Sequence, residues 1–208
     1  MKIGVIGGGN VGTALAKRLG PAGHEIMLSF SRDPGALEET AARFGASTGT
    51  PQQAARFGDV VVLTVPWQAV PSALEQAGSL QGKVLWDCTN ALLPDMSGLA
   101  IGTTTSAGET VQQLAAGARV VKAIPPFAEL LHSADPTIAG VPAEVFMCGD
   151  DDDAKRIVRP LVEALPATVI DAGPLQYARW IEPAGFLLVR LAYAQGFGVR
   201  IGLGLATE

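Results

Sequence analysis

The six residues Gly7-Gly8-Gly9-Asn10-Val11-Gly12 constrain this chain more than any others. Before them stands Lys2-Ile3-Gly4-Val5-Ile6, an apolar run that reads as a short buried strand. After them, Val11, Leu15 and Leu19 fall on one helical stripe. Glycine at the first, third and sixth positions of a strand-to-helix turn suits the binding of a dinucleotide. Gly7 permits the tight turn, Gly9 lets the backbone approach a pyrophosphate, and Gly12 lets helix and strand pack closely. The helix N-terminus then offers unpaired N–H groups and the positive end of its dipole to phosphate oxygens.

The rest of the chain continues the alternation that such a turn opens. Glu25 to Phe30 reads as a second strand, and Asp33 caps a helix whose first turn holds Pro34 and which runs to about Phe44. A short helix is expected over Pro51 to Phe57. Asp59-Val60-Val61-Val62-Leu63-Thr64-Val65 is a near-continuous apolar run, as a parallel strand covered on both faces requires. Pro66 to Gln76 reads as helix, Lys83 to Asp87 as strand, Glu109 to Ala116 as helix and Arg119 to Ala123 as strand. Glu144 to Cys148 and Thr168 to Ile170 are further strands, with a helix over Asp151 to Leu165 between them. Two helical stretches are expected at the end, broken near Pro183, with Phe186 to Leu205 forming a buried or interface helix. Strand and helix in turn predict an α/β fold, a doubly wound parallel sheet of Rossmann type with a small helical C-terminal extension. We divide it at residues 1–170, the dinucleotide-binding Rossmann domain, and 171–208, a helical segment that covers the cofactor cleft or forms a dimer interface.

Composition narrows the function classes. The net charge is −5 and no cluster of Lys and Arg is present, which disfavours a nucleic-acid surface. The most apolar stretch is interrupted by Arg190 and Arg200, so no membrane span is expected. The two cysteines, Cys88 and Cys148, lie far apart and each ends an apolar run, the pattern of buried reduced thiols. With His24 and His132 the only histidines, no metal site is expected. The N-terminus has no signal-peptide character, and a cytoplasmic protein follows.

The tip of the second strand speaks to the choice of dinucleotide. A site for NAD places Asp or Glu there, about 20 residues past the loop, on the ribose 2′-hydroxyl. Here the tip is Ser29-Phe30-Ser31-Arg32. A hydroxyl on Ser31 and the guanidinium of Arg32 suit a 2′-phosphate, which Arg pairs with in a planar, charge-assisted geometry. Asp33 is read as the helix cap. NADP is therefore preferred. On the same edge of the sheet, Thr64-Val65-Pro66-Trp67 ends the strongest strand and Asp87-Cys88-Thr89-Asn90 the next. Thr64, Val65, Pro66, Trp67 and Asn90 are candidates for the nicotinamide side. Ile124, Pro125, Pro126 and Phe127 follow a third strand end and are candidates for the wall against a second substrate.

Other features read as structural. Asp150 to Asp153 sits where acids favour a helix start. Asp171 shapes a turn, His132 lies in a surface loop, and Arg179 and Glu182, three apart on a helix, form a pair. No catalytic acid or base stands out.

Several blocks in order resemble the coenzyme F420-dependent NADP oxidoreductase family: the opening Lys2 to Gly12, Ser31-Arg32-Asp33-Pro34, Leu63-Thr64-Val65-Pro66-Trp67, Thr105-Ser106-Ala107-Gly108-Glu109, Val120-Val121-Lys122-Ala123, Cys148-Gly149-Asp150-Asp151-Asp152, and Asp171-Ala172-Gly173-Pro174-Leu175 with Arg179 and Glu182. The resemblance implies a Rossmann domain with a small C-terminal part over the cofactor, often as a homodimer. It implies hydride transfer between the nicotinamide of NADP(H) and a deazaflavin, coenzyme F420, a reaction that needs positioning more than acid–base catalysis. The chain departs from the family after Ala123, where Pro125 stands in place of a polar residue. That makes the pocket more apolar and stiffer. It keeps three alternatives in view: a flavin as partner, a small carbonyl or imine substrate, and a non-enzymatic NADP-binding redox sensor.

Overall fold

The structure is a computed structural model in which residues 1–206 are described. Eight strands form one sheet: β1 (Lys2–Ile6), β2 (Glu25–Ser29), β3 (Ser47–Thr48), β4 (Val60–Leu63), β5 (Val84–Asp87), β6 (Arg119–Ala123), β7 (Ala143–Gly149) and β8 (Ala167–Gly173). Their order is β3-β2-β1-β4-β5-β6-β7-β8. The chain winds outward from β1 to β3, then crosses back to lay β4 on the other side of β1. At that reversal the loops leaving β1 and β4 diverge, and a crevice opens between them.

The helices are α1 (Asn10–Leu19), α2 (Pro34–Arg43), α3 (Pro51–Phe57), α4 (Val70–Ala77), α5 (Ala107–Leu114), α6 (Ala128–His132), α7 (Asp152–Glu163) and α8 (Ala178–Val189). Alternate side chains of the central strands feed two separate cores. Val84 and Trp86 enter one, with Leu15, Leu28, Leu131 and Val158. Leu85 enters the other, with Leu63, Leu74, Val111 and Ile181. Both faces are covered, which is why β4 reads as Val-Val-Val-Leu with every residue buried. The caps behave as the sequence indicates. The Asp33 side chain accepts from Ala36 N, and Asp151 accepts from Ala154 N at the start of α7.

The structure departs from the sequence reading in four places. β7 runs antiparallel to β6, so the sheet is not wholly parallel. A two-residue strand, β3, and the short helix α6 carry too weak a periodic signal to be read. The helix over Pro183 is unbroken: α8 runs from Ala178 to Val189 with that proline inside it. Proline there forfeits one backbone hydrogen bond, but the neighbouring Ile181 and Glu182 are buried, and that packing holds the helix together. Finally, Phe186–Leu205 is not one helix. A π-helical turn, Arg190–Ala194, follows α8, and residues 195–206 have no regular structure. Gly196 and Gly198 adopt positive φ within that stretch. Among the described residues, no helix is long and apolar enough to cross a membrane.

Candidate functional site

At the end of β1 the backbone turns sharply at Gly7, where φ is +132°. The turn is held from three sides. Gly7 N donates to Ser29 O at 3.0 Å, and Gly8 N donates to Phe30 O at 3.2 Å. The Thr64 hydroxyl donates to Gly7 O at 2.9 Å. A Cβ on Gly12 would lie 1.9 Å from that same carbonyl oxygen, so the helix can approach the turn only with glycine there. Gly9 is different. It is exposed, and a Cβ on it would meet nothing within 4 Å. The protein's own packing does not require glycine at that position. Gly9 also occupies the N-cap of α1 without a capping side chain, and the first turn holds no acidic residue. The N–H groups of that turn are left for an anion from outside the chain.

Beyond β2, Phe30 takes φ +58° and the chain bends into a tight turn. The Ser31 hydroxyl donates to Asp33 O at 2.9 Å and accepts from Asp33 N at 3.1 Å, while the Asp33 carboxylate caps α2. Asp33, read as the helix cap, is thus engaged by α2. Arg32 is exposed, forms no ion pair among the described residues, and borders the main cavity.

That cavity has a volume of about 620 Å³. It brings together Gly9, Asn10, Val11 and Arg32 with Thr64, Val65, Pro66 and Asn90 at the ends of β4 and β5. It continues past Ile124, Pro125, Pro126 and Phe127 after β6. Residues from the C-terminal segment, among them Ile181, Leu188, Tyr193 and Ile201, form its far side. The walls therefore leave room between them. Gly7, Gly12 and Ser31 are not part of this lining: the two glycines are buried and Ser31 is exposed beside Arg32. Trp67 faces away, into a separate depression of about 360 Å³ beside Leu93 and Leu114. The rear wall is tied together: the Tyr193 ring meets Phe127 edge-on at 5.8 Å, and its hydroxyl donates to Glu129 Oε1 at 3.0 Å. Burial, reinforced by Glu129, pushes the Tyr193 phenol up to about 12.

Beneath the cavity lies a feature the sequence reading missed. The Lys122 ammonium is 2.9 Å from Asp87 Oδ2 and 3.2 Å from Glu182 Oε1, and its own side chain is fully buried. It also donates to Thr89 O. Asp87 Oδ1 accepts from Thr89 N at 2.8 Å and from the Thr89 hydroxyl at 2.7 Å. Glu182 accepts from Ala107 N at 2.8 Å and Gly108 N at 2.9 Å, capping α5 from a distance. Burial works against the Lys122 charge, but the two carboxylates outweigh it and hold the ammonium above its ordinary range. Burial pushes both thiols up, Cys88 well above its usual value and Cys148 to about 12, so neither ionises readily. The expected Arg179–Glu182 pair does not form. Arg179 makes a two-pronged pair with Glu109 instead, at 2.8 and 2.6 Å, because Glu182 turns inward to the lysine. A signal existed for this cluster: Asp87 ends one apolar strand and Lys122 interrupts another, and a buried charge requires a partner. The two stand opposite each other in the β5–β6 register.

His132 lies in α6 and not in a loop, with Nε2 3.3 Å from Asn10 O and 3.4 Å from the Thr13 hydroxyl, at the contact between α1 and α6. Asp171, expected to shape a turn, lies within β8 instead; near the end of that strand it accepts from Gly173 N at 2.8 Å, and it also pairs with Lys155.

A strand–glycine turn–helix at the reversal point of a doubly wound sheet, opening on a long cleft, defines the Rossmann class of dinucleotide-binding proteins. The comparisons narrow it further. The family model described as NADP oxidoreductase coenzyme F420-dependent matches residues 2–91. The chain is 32% identical to an F420-dependent NADP reductase of Methanothermobacter thermautotrophicus, over 92% of this chain and 89% of that protein. It is 28% identical to the one from Methanocaldococcus jannaschii, over 97% and 98%. A crystal structure assigned as an F420-dependent NADP-reductase from Arthrobacter sp. FB24 superposes with a TM-score of 0.88 at 30% identity, covering all of both chains. The chain belongs to the coenzyme F420-dependent NADP oxidoreductase family.

Proposed function

We propose that this protein transfers hydride between NADP(H) and the deazaflavin coenzyme F420. The observation that carries the reading is the single cleft that runs from an uncapped helix N-terminus and an unpaired arginine to a stiff apolar wall. The residues fit the dinucleotide: the space in front of Gly9 is open, and no acid competes for the first turn of α1. When bound, the two coenzymes supply the redox chemistry, a hydride passing between nicotinamide C4 and deazaflavin C5.

The chain's own residues bind, align and exclude water. The N–H groups at Gly9, Asn10, Val11 and Gly12 hold the pyrophosphate, with Gly7 and Gly12 fixing the turn that presents them. Ser31 and Arg32 take the 2′-phosphate. Thr64, Val65, Pro66 and Asn90 border the nicotinamide ribose, and Trp67 braces that turn from behind. Ile124, Pro125, Pro126 and Phe127 form a flat, rigid face against which a planar ring aligns. Residues 171–206 of the C-terminal segment cover the cleft and keep water from the transfer, residues 207 and 208 lying outside the described residues. Exposed Trp180, Tyr193 and Phe197 on that segment support a homodimer. The two buried thiols support a reducing, cytoplasmic setting.

Pro125 at the wall favours one second reading, a flavin in place of the deazaflavin. The test is NADPH oxidation under anaerobic conditions with coenzyme F420, with FMN or FAD, with a panel of small carbonyl and imine compounds, and with no acceptor. Turnover fastest with coenzyme F420 is expected. Turnover only with carbonyls or imines, or with none of these, overturns the proposal in favour of a small-substrate reductase or an NADP-binding sensor.

A further inference from the structure

Residues 199–204 alternate in burial. Val199, Ile201 and Leu203 are half-buried, while Arg200, Gly202 and Gly204 between them are exposed. That is the pattern of an extended segment with one apolar face turned inward. Yet it has no partner strand. Among the described residues, no backbone-to-backbone hydrogen bond joins 199–206 to the rest of the chain. Ile201 and Leu203 border the main cavity. Part of the cavity wall is therefore chain that the sheet does not hold.

Two polar ties hold it. The Arg200 guanidinium donates to Thr137 O at 2.9 Å and to Asp135 O at 3.0 Å, and lies 3.8 Å from the Asp135 carboxylate. Leu205 N donates to Glu144 Oε2 at 2.7 Å. Arg200 and Asp135 are both exposed, and a tie of that kind is weak. Between the ties the backbone lies flush against its neighbours because it lacks side chains there. A Cβ on Gly202 would come within 3.1 Å of Ile138 Cδ1, and one on Gly204 within 3.1 Å of the Glu144 carboxylate. Upstream, the π-helical turn is followed by Gly196 and Gly198, at φ +76° and +74°. A Cβ on either would meet nothing within 4 Å, so only the backbone conformation asks for glycine. A hinge in open space, an apolar inner face and weak ties make a segment able to swing as one piece.

Its place along the cleft decides what it governs. Both ties reach β7 or the loop before it, and β4, β5 and β6 stand between β7 and β1. Gly9 and Arg32 lie at the β1 end of the cavity; the strap shares the far end with Ile124 to Phe127. We propose that residues 199–206 are a strap that releases to admit the acceptor's ring and then fastens over it, with Arg200 and Glu144 as its catches. The inference rests on the reading that a deazaflavin occupies that end of the cleft. Fastened, the strap lays Ile201 and Leu203 over the ring and excludes water; product leaves only when it opens again.

Trypsin reads the strap directly. It cuts after Arg200 only once the guanidinium has left Thr137 and Asp135, and the loss of residues 201–208 is followed by intact mass. NADP and coenzyme F420 are both supplied oxidised, so that no transfer runs, and F420 binding is measured separately by fluorescence titration. With F420 at about ten times its dissociation constant beside NADP, cleavage should slow about tenfold, as when only the fastened form holds the ligand. NADP alone should change it little. Gly198→Ala disturbs the hinge and no contact; in the free variant, cleavage should quicken roughly fivefold or more, from the strain of a Cβ in a left-handed backbone. In stopped flow, association and dissociation of F420 should quicken by the same factor, leaving its affinity and the melting temperature nearly unchanged. A merely structural role would weaken affinity instead. F420 that binds while Arg200 is cut equally fast with and without it overturns the strap, as do wild-type cleavage or wild-type F420 rates in folded Gly198→Ala. F420 that does not bind at all overturns the reading of the cleft and the closing step with it, a result the fluorescence titration separates from the others.

Discussion

Lys122 and Asp87 meet across β6 and β5 at 2.9 Å with no solvent-exposed surface on either side chain. Glu182 joins them from α8 at 3.2 Å, so one ammonium serves two carboxylates beneath the cleft. Lys122→Met would leave both carboxylates buried without a counter-ion. Urea unfolding should show a loss of about 3–5 kcal/mol, the range for breaking a buried ion pair from one side. A loss within about 0.5 kcal/mol, as for an ordinary surface substitution, would contradict the role assigned to the cluster.

Gly9 and Gly12 belong to one motif but are glycine for different reasons. Gly9→Val places its side chain in open space at an ordinary φ of −84°, so the protein should fold with nearly unchanged stability. NADPH binding should nevertheless be lost, because the new side chain stands where the pyrophosphate comes. Gly12→Ala drives a methyl into Gly7 O and should cost roughly 1–3 kcal/mol of stability, as overpacking does. Thermal melts and NADPH titration of both variants separate the two. Unimpaired affinity in folded Gly9→Val would take the loop out of the site.

Arg32 is exposed at the cleft with no acidic partner among the described residues, while Asp33 is spent on capping α2. Arg32→Ala should weaken NADPH by about 1–3 kcal/mol, the loss of a charge-assisted hydrogen bond, and leave NADH nearly unchanged. Equal losses for the two cofactors would remove Arg32 from the 2′-phosphate site.

Asp151 caps α7 and receives both prongs of Arg119 at 2.6 and 2.7 Å. The guanidinium, with Ala154 N, holds its carboxyl down to about 2 from 3.8. A carboxyl depressed in the folded state stabilises the protein above its unfolded pKa, and that contribution disappears as pH falls through the folded one. The stability that Asp151 confers should therefore be intact above about pH 4 and vanish between about pH 4 and pH 2. Melting temperatures across that window should fall less steeply for Asp151→Asn than for the wild type. Parallel curves would show that the pair does not couple to folding.

The parts of this molecule that were legible in the sequence are those decided by neighbours in the chain. The turn at Gly7, the cap at Asp33, the apolar β4 and the strand ends that carry Val65 and Ile124 follow from local sterics and from periods of two and 3.6 residues. What escaped was decided across the fold. Arg179 lies one helical turn from Glu182, yet it pairs with Glu109, because Lys122, distant in sequence, draws Glu182 inward. Pro183 signals a break that packing of Ile181 and Glu182 overrides. Trp67 follows the right strand, but it lines a separate depression and not the main cavity, a choice the sequence does not encode locally. Asn90 could be read as a turn former or a ligand contact; only its placement against Glu182 shows that half of its amide is left without a partner.

The central claim, direct hydride transfer along the cleft from Gly9 to Phe127, is tested most directly by isotope tracing. NADPH carrying deuterium at nicotinamide C4 is mixed anaerobically with oxidised coenzyme F420 and the protein, and the reduced deazaflavin is analysed by mass spectrometry and NMR. The account predicts deuterium at C5 of the deazaflavin, from one face of the nicotinamide only and without loss to solvent. No reduction, or reduction with the label lost to water, would contradict it.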